Sequence, residues 1–378
     1  MRNSPGPLLR RALVGVVGLS ALSALGALGA LCAPVSAATP AASPVREAER
    51  VPFTERYRAL QHGGIVRAAN TSVSCRATGA APAPACPAAR AGMAAVNSDF
   101  DMFYIDVDDD PRTYNSSRAE VRLPEAARVT YARLYWGGNL RVGEQKPPRD
   151  NGRVLLAEPG GDYREVLADT VVGHRAAGGA DAFQASADVT GLVRQSGPGL
   201  YTVAQVNAAM GRSAAGAWGG WTLVVAYENA AEPLRHLALW DGFDTLDSRT
   251  AHGVRLTGAR FSAGAGGRAG LVAYDGRRGV RGDSFTVTTR TKSNKARATA
   301  LSDGANPPSD VLNSTISEPG AVPAPRVPAY SNTLGYDSDV FDLRTALRGG
   351  GDQLAFRLVS QRDAAWAGVL FAAVDAPQ

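Results

Sequence analysis

Apolar residues along this chain alternate with polar ones in short runs, and each run is cut by a cluster of Gly, Pro, Asn or Asp. A period of two puts every second side chain on one face of an extended backbone, so the pattern predicts strands rather than helices. Over Ala127–Trp136, Val129 and Tyr131 fall on one face and Ala132, Leu134 and Trp136 on the other. With apolar residues on both faces, that strand is predicted to be covered on both sides, and Gly137-Gly138 to turn it. Further strands are predicted at Val154–Ala157, Leu200–Val206, Thr222–Tyr227, Leu234–Trp240, Val254–Phe261, Leu271–Tyr274 and Ser284–Thr289. Two more close the chain: Leu354, Phe356 and Leu358 alternate with Ala355, Arg357 and Val359, and Trp366–Val374 is apolar enough for a central strand. One short helix is predicted over Asp188–Arg194, with Asp188 capping the N–H groups ahead of Leu192 and Val193.

The fold class that follows is all-β, with two β-sandwich (jelly-roll-like) halves and few short helices. Residues 51–230 make the first half and 231–378 the second, divided at the turn Asn229–Pro233 between two strong strands. Asn294–Pro328, rich in Asn, Ser, Pro and Ala, reads as a long ordered loop, and no internal repeat is visible.

The first residues change the compartment. Arg2, Arg10 and Arg11 precede an uncharged run, Ala12–Leu31, which ends at Ala33-Pro34-Val35-Ser36-Ala37. A positive end, an apolar stretch and small residues at a cleavage site predict a signal peptide over 1–37, followed by a flexible Ala- and Pro-rich lead-in over 38–50. The chain is therefore expected to be secreted, with no membrane span after cleavage. Three of the 40 Lys and Arg lie in the leader and none of the 35 Asp and Glu, leaving 37 basic against 35 acidic residues. So balanced a chain offers no broad basic face to a nucleic acid. Export also fits the cysteines: Cys32 goes with the leader, and Cys75 and Cys86 are left as a pair expected to form a disulfide.

Several strings are specific enough to carry a resemblance. They are Asp106-Val107-Asp108 with Tyr114-Asn115-Ser116-Ser117, the run Ala132 to Gly138, Gly219 to Tyr227, Pro233 to His236 with Trp240 to Phe243, Asn313 to Ser317, and Asn332 to Asp339. In order and spacing the chain resembles the large N-terminal head region of bacterial secreted and cell-surface proteins, in which the head precedes tandem immunoglobulin-like repeats. The resemblance implies a surface or extracellular role of adhesive type. Ending at Gln378 without such repeats, a sortase motif or a C-terminal apolar helix, the chain is expected to be freely secreted or non-covalently wall-associated.

Two sets of residues are candidates for chemistry. Asp99, Asp101, Asp106, Asp108 and Asp110 crowd carboxylates whose repulsion a calcium ion would relieve, although Pro111 and Ser117 stand where an EF-hand needs its glycine and its closing glutamate. Tyr135, Trp136, Trp218, Trp221 and Trp240 lie beside or near glycines, as flat platforms for a sugar ring would, or else fill the core. No Ser or Cys nucleophile sits in a recognisable motif with His62, His174, His236 or His252. Arg281-Gly282-Asp283 lies in an expected hairpin turn. The function expected is binding, to cell-wall glycan or a surface protein, without catalysis; the alternative is a secreted carbohydrate-active enzyme using a carboxylate pair.

Overall fold

The computed structural model describes residues 46–76, 85–247, 251–291, 295–320, 322–362 and 365–377. The expected leader and most of the lead-in lie outside them; the lead-in's last residues include a two-residue strand, Glu47–Ala48, parallel to Val172–Ala177. Sixteen strands carry the architecture. The first eight are β1 (Val51–Thr71), β2 (Ser116–Val121), β3 (Arg128–Asn139), β4 (Arg153–Ala157), β5 (Arg164–Leu167), β6 (Ala180–Asp188), β7 (Gly199–Ala204) and β8 (Gly219–Glu228). The second eight are β9 (Leu234–Leu246), β10 (Ala251–Leu256), β11 (Gly267–Tyr274), β12 (Ser284–Arg290), β13 (Ala296–Ala300), β14 (Tyr336–Asp342), β15 (Gln353–Val359) and β16 (Ala365–Asp375).

Their pairing repeats. The first eight form an inner sheet in the order β1-β8-β3-β6 and an outer sheet β2-β7-β4-β5. Adding eight to each label gives the second set, β9-β16-β11-β14 and β10-β15-β12-β13. All these pairs are antiparallel, and the chain alternates between sheets in the jelly-roll manner. The expected pair of jelly-roll-like sandwiches is thus present as two copies of one topology. The repeat lies in the pairing and not in the residues.

Three cores separate four layers. The outer sheet of the first half packs Val121, Leu156 and Val203 against Leu134, Trp136, Trp221 and Leu223 of its inner sheet. In the second half, Leu256, Phe285 and Phe356 meet Trp240, Leu271 and Leu370. The inner sheets then face each other through Ile65, Tyr135 and Val224 on one side and Leu239, Val272 and Val369 on the other. Apart from Val51–His62 of β1, which is exposed along one face, the inner strands are largely buried on both faces, as predicted for Ala127–Trp136. One detail differs: the register slips between Ala226 and Tyr227, so Thr130 is an extra residue. This bulge sends Val129 to the core of Leu134 and Trp136 and leaves Tyr131 against the inter-sheet core.

β1 ties the halves together. Val51–His62 pairs with β9, and Gly63–Thr71 pairs with β8. Gly63 has φ +132°, and a Cβ there would stand 2.0 Å from the carbonyl oxygen of Tyr227. Other expectations shift. Gly137-Gly138 does not turn the strand, because β3 continues to Asn139 with Gly138 paired to Phe183 and Gly219. The short helix forms over Thr190–Ser196, with the Asp188 carboxylate accepting the Thr190 N–H at 2.8 Å. Within the expected loop Asn294–Pro328, Ala296–Ala300 is a strand, since five residues pair with β12. No helix of the described residues is long and apolar enough to cross a membrane.

Cys75 and Cys86 are bonded, as expected, and both are buried beside the first core. Replacing both with Ser is expected to cost about 2–3 kcal/mol, the chain-entropy value for closing so short a loop. A urea midpoint unchanged by the double substitution would remove that role.

Candidate functional site

The five aspartates do not converge. Asp99 accepts the Val96 N–H at 3.1 Å, and Asp106 accepts the Ser116 hydroxyl at 2.7 Å. Asp108 accepts the Asp110 N–H, the Thr113 hydroxyl and the Tyr163 phenol, while Asp110 accepts both the N–H and the guanidinium of Arg112. Burial pushes the Asp108 pKa up, but these donors outweigh it and hold it low; Arg112 holds Asp110 at about 2. Asp101 is exposed. Four of the five carboxylates are thus stabilised by local N–H and O–H donors and the fifth faces solvent, which is why the crowding needs no shared cation. Among the described residues no group of three or more His, Cys, Asp and Glu is arranged around a metal ion.

Nor do the aromatics form a platform. Tyr135, Trp136, Trp218 and Trp221 are fully buried and Trp240 is 4% exposed. Trp136 donates its indole N–H to the Asn151 carbonyl at 2.8 Å, and Trp221 donates to Ser117 Oγ at 2.8 Å. Trp218 packs on Tyr274, and Trp240 on Phe356. Glycines stand beside them because the sheets are covered on both faces and the rings need room. Asp283, last residue of the Arg-Gly-Asp string, is 1% exposed and accepts the Leu312 N–H, so that string is not displayed.

The structure instead opens a cleft of about 520 Å³ where strand ends of both halves meet. Gly64, Ile65 and Val66, just past the point at which β1 changes partner, form one wall with Tyr227 of β8. Gly267 and Arg268 open β11, Asp342 and Arg344 close β14, and Ala373 and Asp375 close β16. Arg122, Glu232 and Arg235 complete the polar rim.

Four arginines here face three carboxylates, and three of the arginines are engaged. Arg235 donates to Asp375 at 2.8 Å, to Glu232 at 2.7 Å and to the Gly63 carbonyl at 2.5 Å. Burial works against its charge, and those acceptors outweigh burial and raise its pKa. Arg344 donates to Asp342 at 2.8 Å; burial raises the Asp342 pKa, and the Arg344 bonds outweigh it and lower it. Arg122 donates to Glu120 at 2.5 Å and to the Val322 carbonyl at 3.1 Å. Arg268 is exposed and has no hydrogen bond or ion pair among the described residues. Arg268 lies across the strand pair from Asp342, which attracts it without a hydrogen bond, so the cleft presents one guanidinium whose planar fork stays open to a carboxylate or phosphate.

The site is not legible in the sequence because its charges come from five separate segments, brought together only by the packing of the fold. The one local signal was the Gly264–Gly267 turn next to an arginine.

Neither a family profile nor a curated protein matches the sequence. Among solved structures, the chain is similar to one in the atomic structure of Sulfolobus turreted icosahedral virus, at 10% identity over 83% of this chain and 92% of that one. The TM-score of that match is 0.22, too low to carry an argument.

Proposed function

We propose that the chain is a secreted or cell-surface-associated binding protein of adhesive type, which holds a negatively charged cell-wall glycan in the cleft between its two halves. The observation that carries this reading is Arg268, an exposed guanidinium that lines a polar cleft built from strand ends and makes no hydrogen bond among the described residues. A rim charge of this kind steers an anionic ligand over a range of about 8 Å at physiological salt, and its effect fades as salt rises.

The non-catalytic reading is favoured over glycan hydrolysis by the state of the carboxylates. Hydrolysis needs one carboxyl kept protonated to act as the acid. In the cleft, Glu232 and Asp375 are both bonded to Arg235, and Asp342 to Arg344. No carboxylate lining the cleft is thus free of a guanidinium partner.

Co-sedimentation of the purified chain with washed cell walls, followed by assay of released sugar, tests both readings. Saturable retention without sugar release is expected, and Arg268→Glu is expected to lower the retained fraction several-fold, with the loss shrinking in high salt. Retention indifferent to Arg268→Glu would place the ligand elsewhere. Soluble sugar in the supernatant would make the protein an enzyme, and no retention would point to a surface protein as partner.

A further inference from the structure

Two of the strings singled out in the sequence, Asn313–Ser317 and Asn332–Asp339, meet in space away from the cleft. Asp337 and Asp339 are two residues apart on β14, share a face, and are fully buried. The segment 303–317 ends beside them, where Ile316–Ser317 pairs parallel with Ser338–Asp339. The Thr315 N–H donates to Asp337 Oδ1 at 3.2 Å, and Ser317 donates its N–H and its hydroxyl to Asp339 Oδ1 at 3.0 and 2.8 Å. The second oxygens, Asp337 Oδ2 and Asp339 Oδ2, are enclosed and meet no donor.

The shortage extends to their neighbours. Thr315 Oγ1 lies 2.8 Å from Asn306 Oδ1, 2.8 Å from Asn313 Oδ1 and 3.0 Å from Asp339 Oδ1. A hydroxyl has one proton and can satisfy one of the three. Turning the amides over does not help. Asn313 Nδ2 already donates to the Ala305 carbonyl at 2.8 Å and Asn306 Nδ2 to the Asp303 carboxylate at 3.3 and 3.4 Å, acceptors that fix both orientations. Nor do the nearby guanidiniums close the gap: Arg67 donates to the Ser317 carbonyl and Arg278 to the Asn313 carbonyl, and neither forms an ion pair with either aspartate among the described residues. Behind Asp337, a Cβ on Gly276 would stand 2.3 Å from its Oδ2 and 2.5 Å from the Leu312 carbonyl oxygen, so this position must stay bare.

Buried oxygens without donors cost free energy unless positive charge reaches them. We propose that Asp339, Asn306, Asn313 and Thr315 hold a hard divalent cation of calcium's kind, with Asp337 supplying a second negative charge beside it. The donors are all oxygen, with no nitrogen or sulfur, which is the chemistry of calcium rather than zinc. The spacings of 2.8–3.0 Å from Thr315 Oγ1 to the other three are those of adjacent oxygens in a crowded shell with metal–oxygen distances of about 2.3–2.6 Å. Three neutral oxygens and one or two carboxylates give the low charge count of an extracellular site, filled at the millimolar calcium found outside cells. The ion would pin the 303–317 segment to β14.

The test uses the purified full chain. After chelation, calcium chloride is expected to raise Tm by about 5 °C or more and to bind at about one ion per chain by elemental analysis. Thr315→Val, which keeps the shape and removes one oxygen, is expected to weaken calcium binding roughly tenfold or more. Asn313→Asp, which adds a charge to the same shell, is expected to strengthen it and serves where the valine variant fails to fold. Equal Tm in calcium and in chelator, with less than about a tenth of an ion bound per chain, overturns the proposal and leaves protons as the missing charge. A calcium shift that both variants leave unchanged places the ion elsewhere and overturns it equally.

Discussion

Asp241→Asn is expected to lower the stability of the chain by about 3–5 kcal/mol, read as a fall in the urea midpoint at an unchanged slope. Asp241 is 4% exposed and sits on β9 where the inner sheets face each other. Arg56 grips it through two bonds of 2.8 Å, Tyr135 donates its phenol at 3.1 Å, and Arg133 approaches to 3.6 Å. An asparagine of the same size removes the charge and turns one of the two acceptor oxygens into a donor that faces donors. Arg133, 3% exposed, is then left buried beside a second guanidinium. Arg133 also reaches Asp169, but that carboxylate is 41% exposed and its attraction is screened by water. The double replacement Arg133→Met with Asp241→Leu is expected to recover much of the loss, because it removes the stranded charge while Arg56 can turn to solvent. A single variant as stable as the parent would mean that water reaches this layer.

The second large effect is expected at Gly63. Alanine there meets two obstacles, a backbone φ of +132° and the Tyr227 carbonyl oxygen at 2.0 Å. Backbone strain of this kind costs about 1–3 kcal/mol and overpacking about as much again, so Gly63→Ala is expected to cost about 2–5 kcal/mol. Gly64→Ala is the control. That residue has an ordinary φ, and its Cβ would meet the movable phenol of Tyr227 at 2.9 Å, so the cost should be clearly smaller. Because Gly64, Ile65 and Val66 line the cleft, Gly63→Ala should also weaken cell-wall retention, whereas equal melting temperatures for the two variants would put the constraint elsewhere.

The strands the sequence reading found are those whose apolar residues are large. β8 and β16 carry Leu, Val and Trp and β9 carries Leu, Trp and Phe, so long apolar stretches mark them as central strands. β6 escaped because it fills its place with Ala and Ser among few large side chains. β1 escaped for two reasons: Glu55, Arg56 and Arg58 look like a surface segment, and Gly63-Gly64 looks like a turn. In the fold, Arg56 is paired with Asp241 and the glycines mark a change of partner, so the backbone runs on. The bulge at Thr130 defeats any reading from periodicity, since one extra residue moves Val129 across the sheet. The candidate sites failed for a different reason. Acidic and aromatic residues were weighed by what their types can do, whereas burial and local donors decide what they do. The cleft arginines and the oxygens around Thr315 become sites only when segments far apart in the chain are brought together.

The shared first strand also sets the order in which the molecule can form. β1 is made before any of its partners, yet its edges wait for Gly219–Glu228 on one side and Leu234–Leu246 on the other. Contacts of such long sequence separation close slowly, because the loop entropy is lost before any pairing rewards it. Until then a strand of 21 residues stands with unpaired backbone on both edges, the kind of surface on which chains join one another. The charged residues along its first half, Glu55, Arg56 and Arg58, guard that interval as well as serving the finished fold. The two jelly rolls are joined in time by that strand: Val51–His62 stays unpaired until the second has begun.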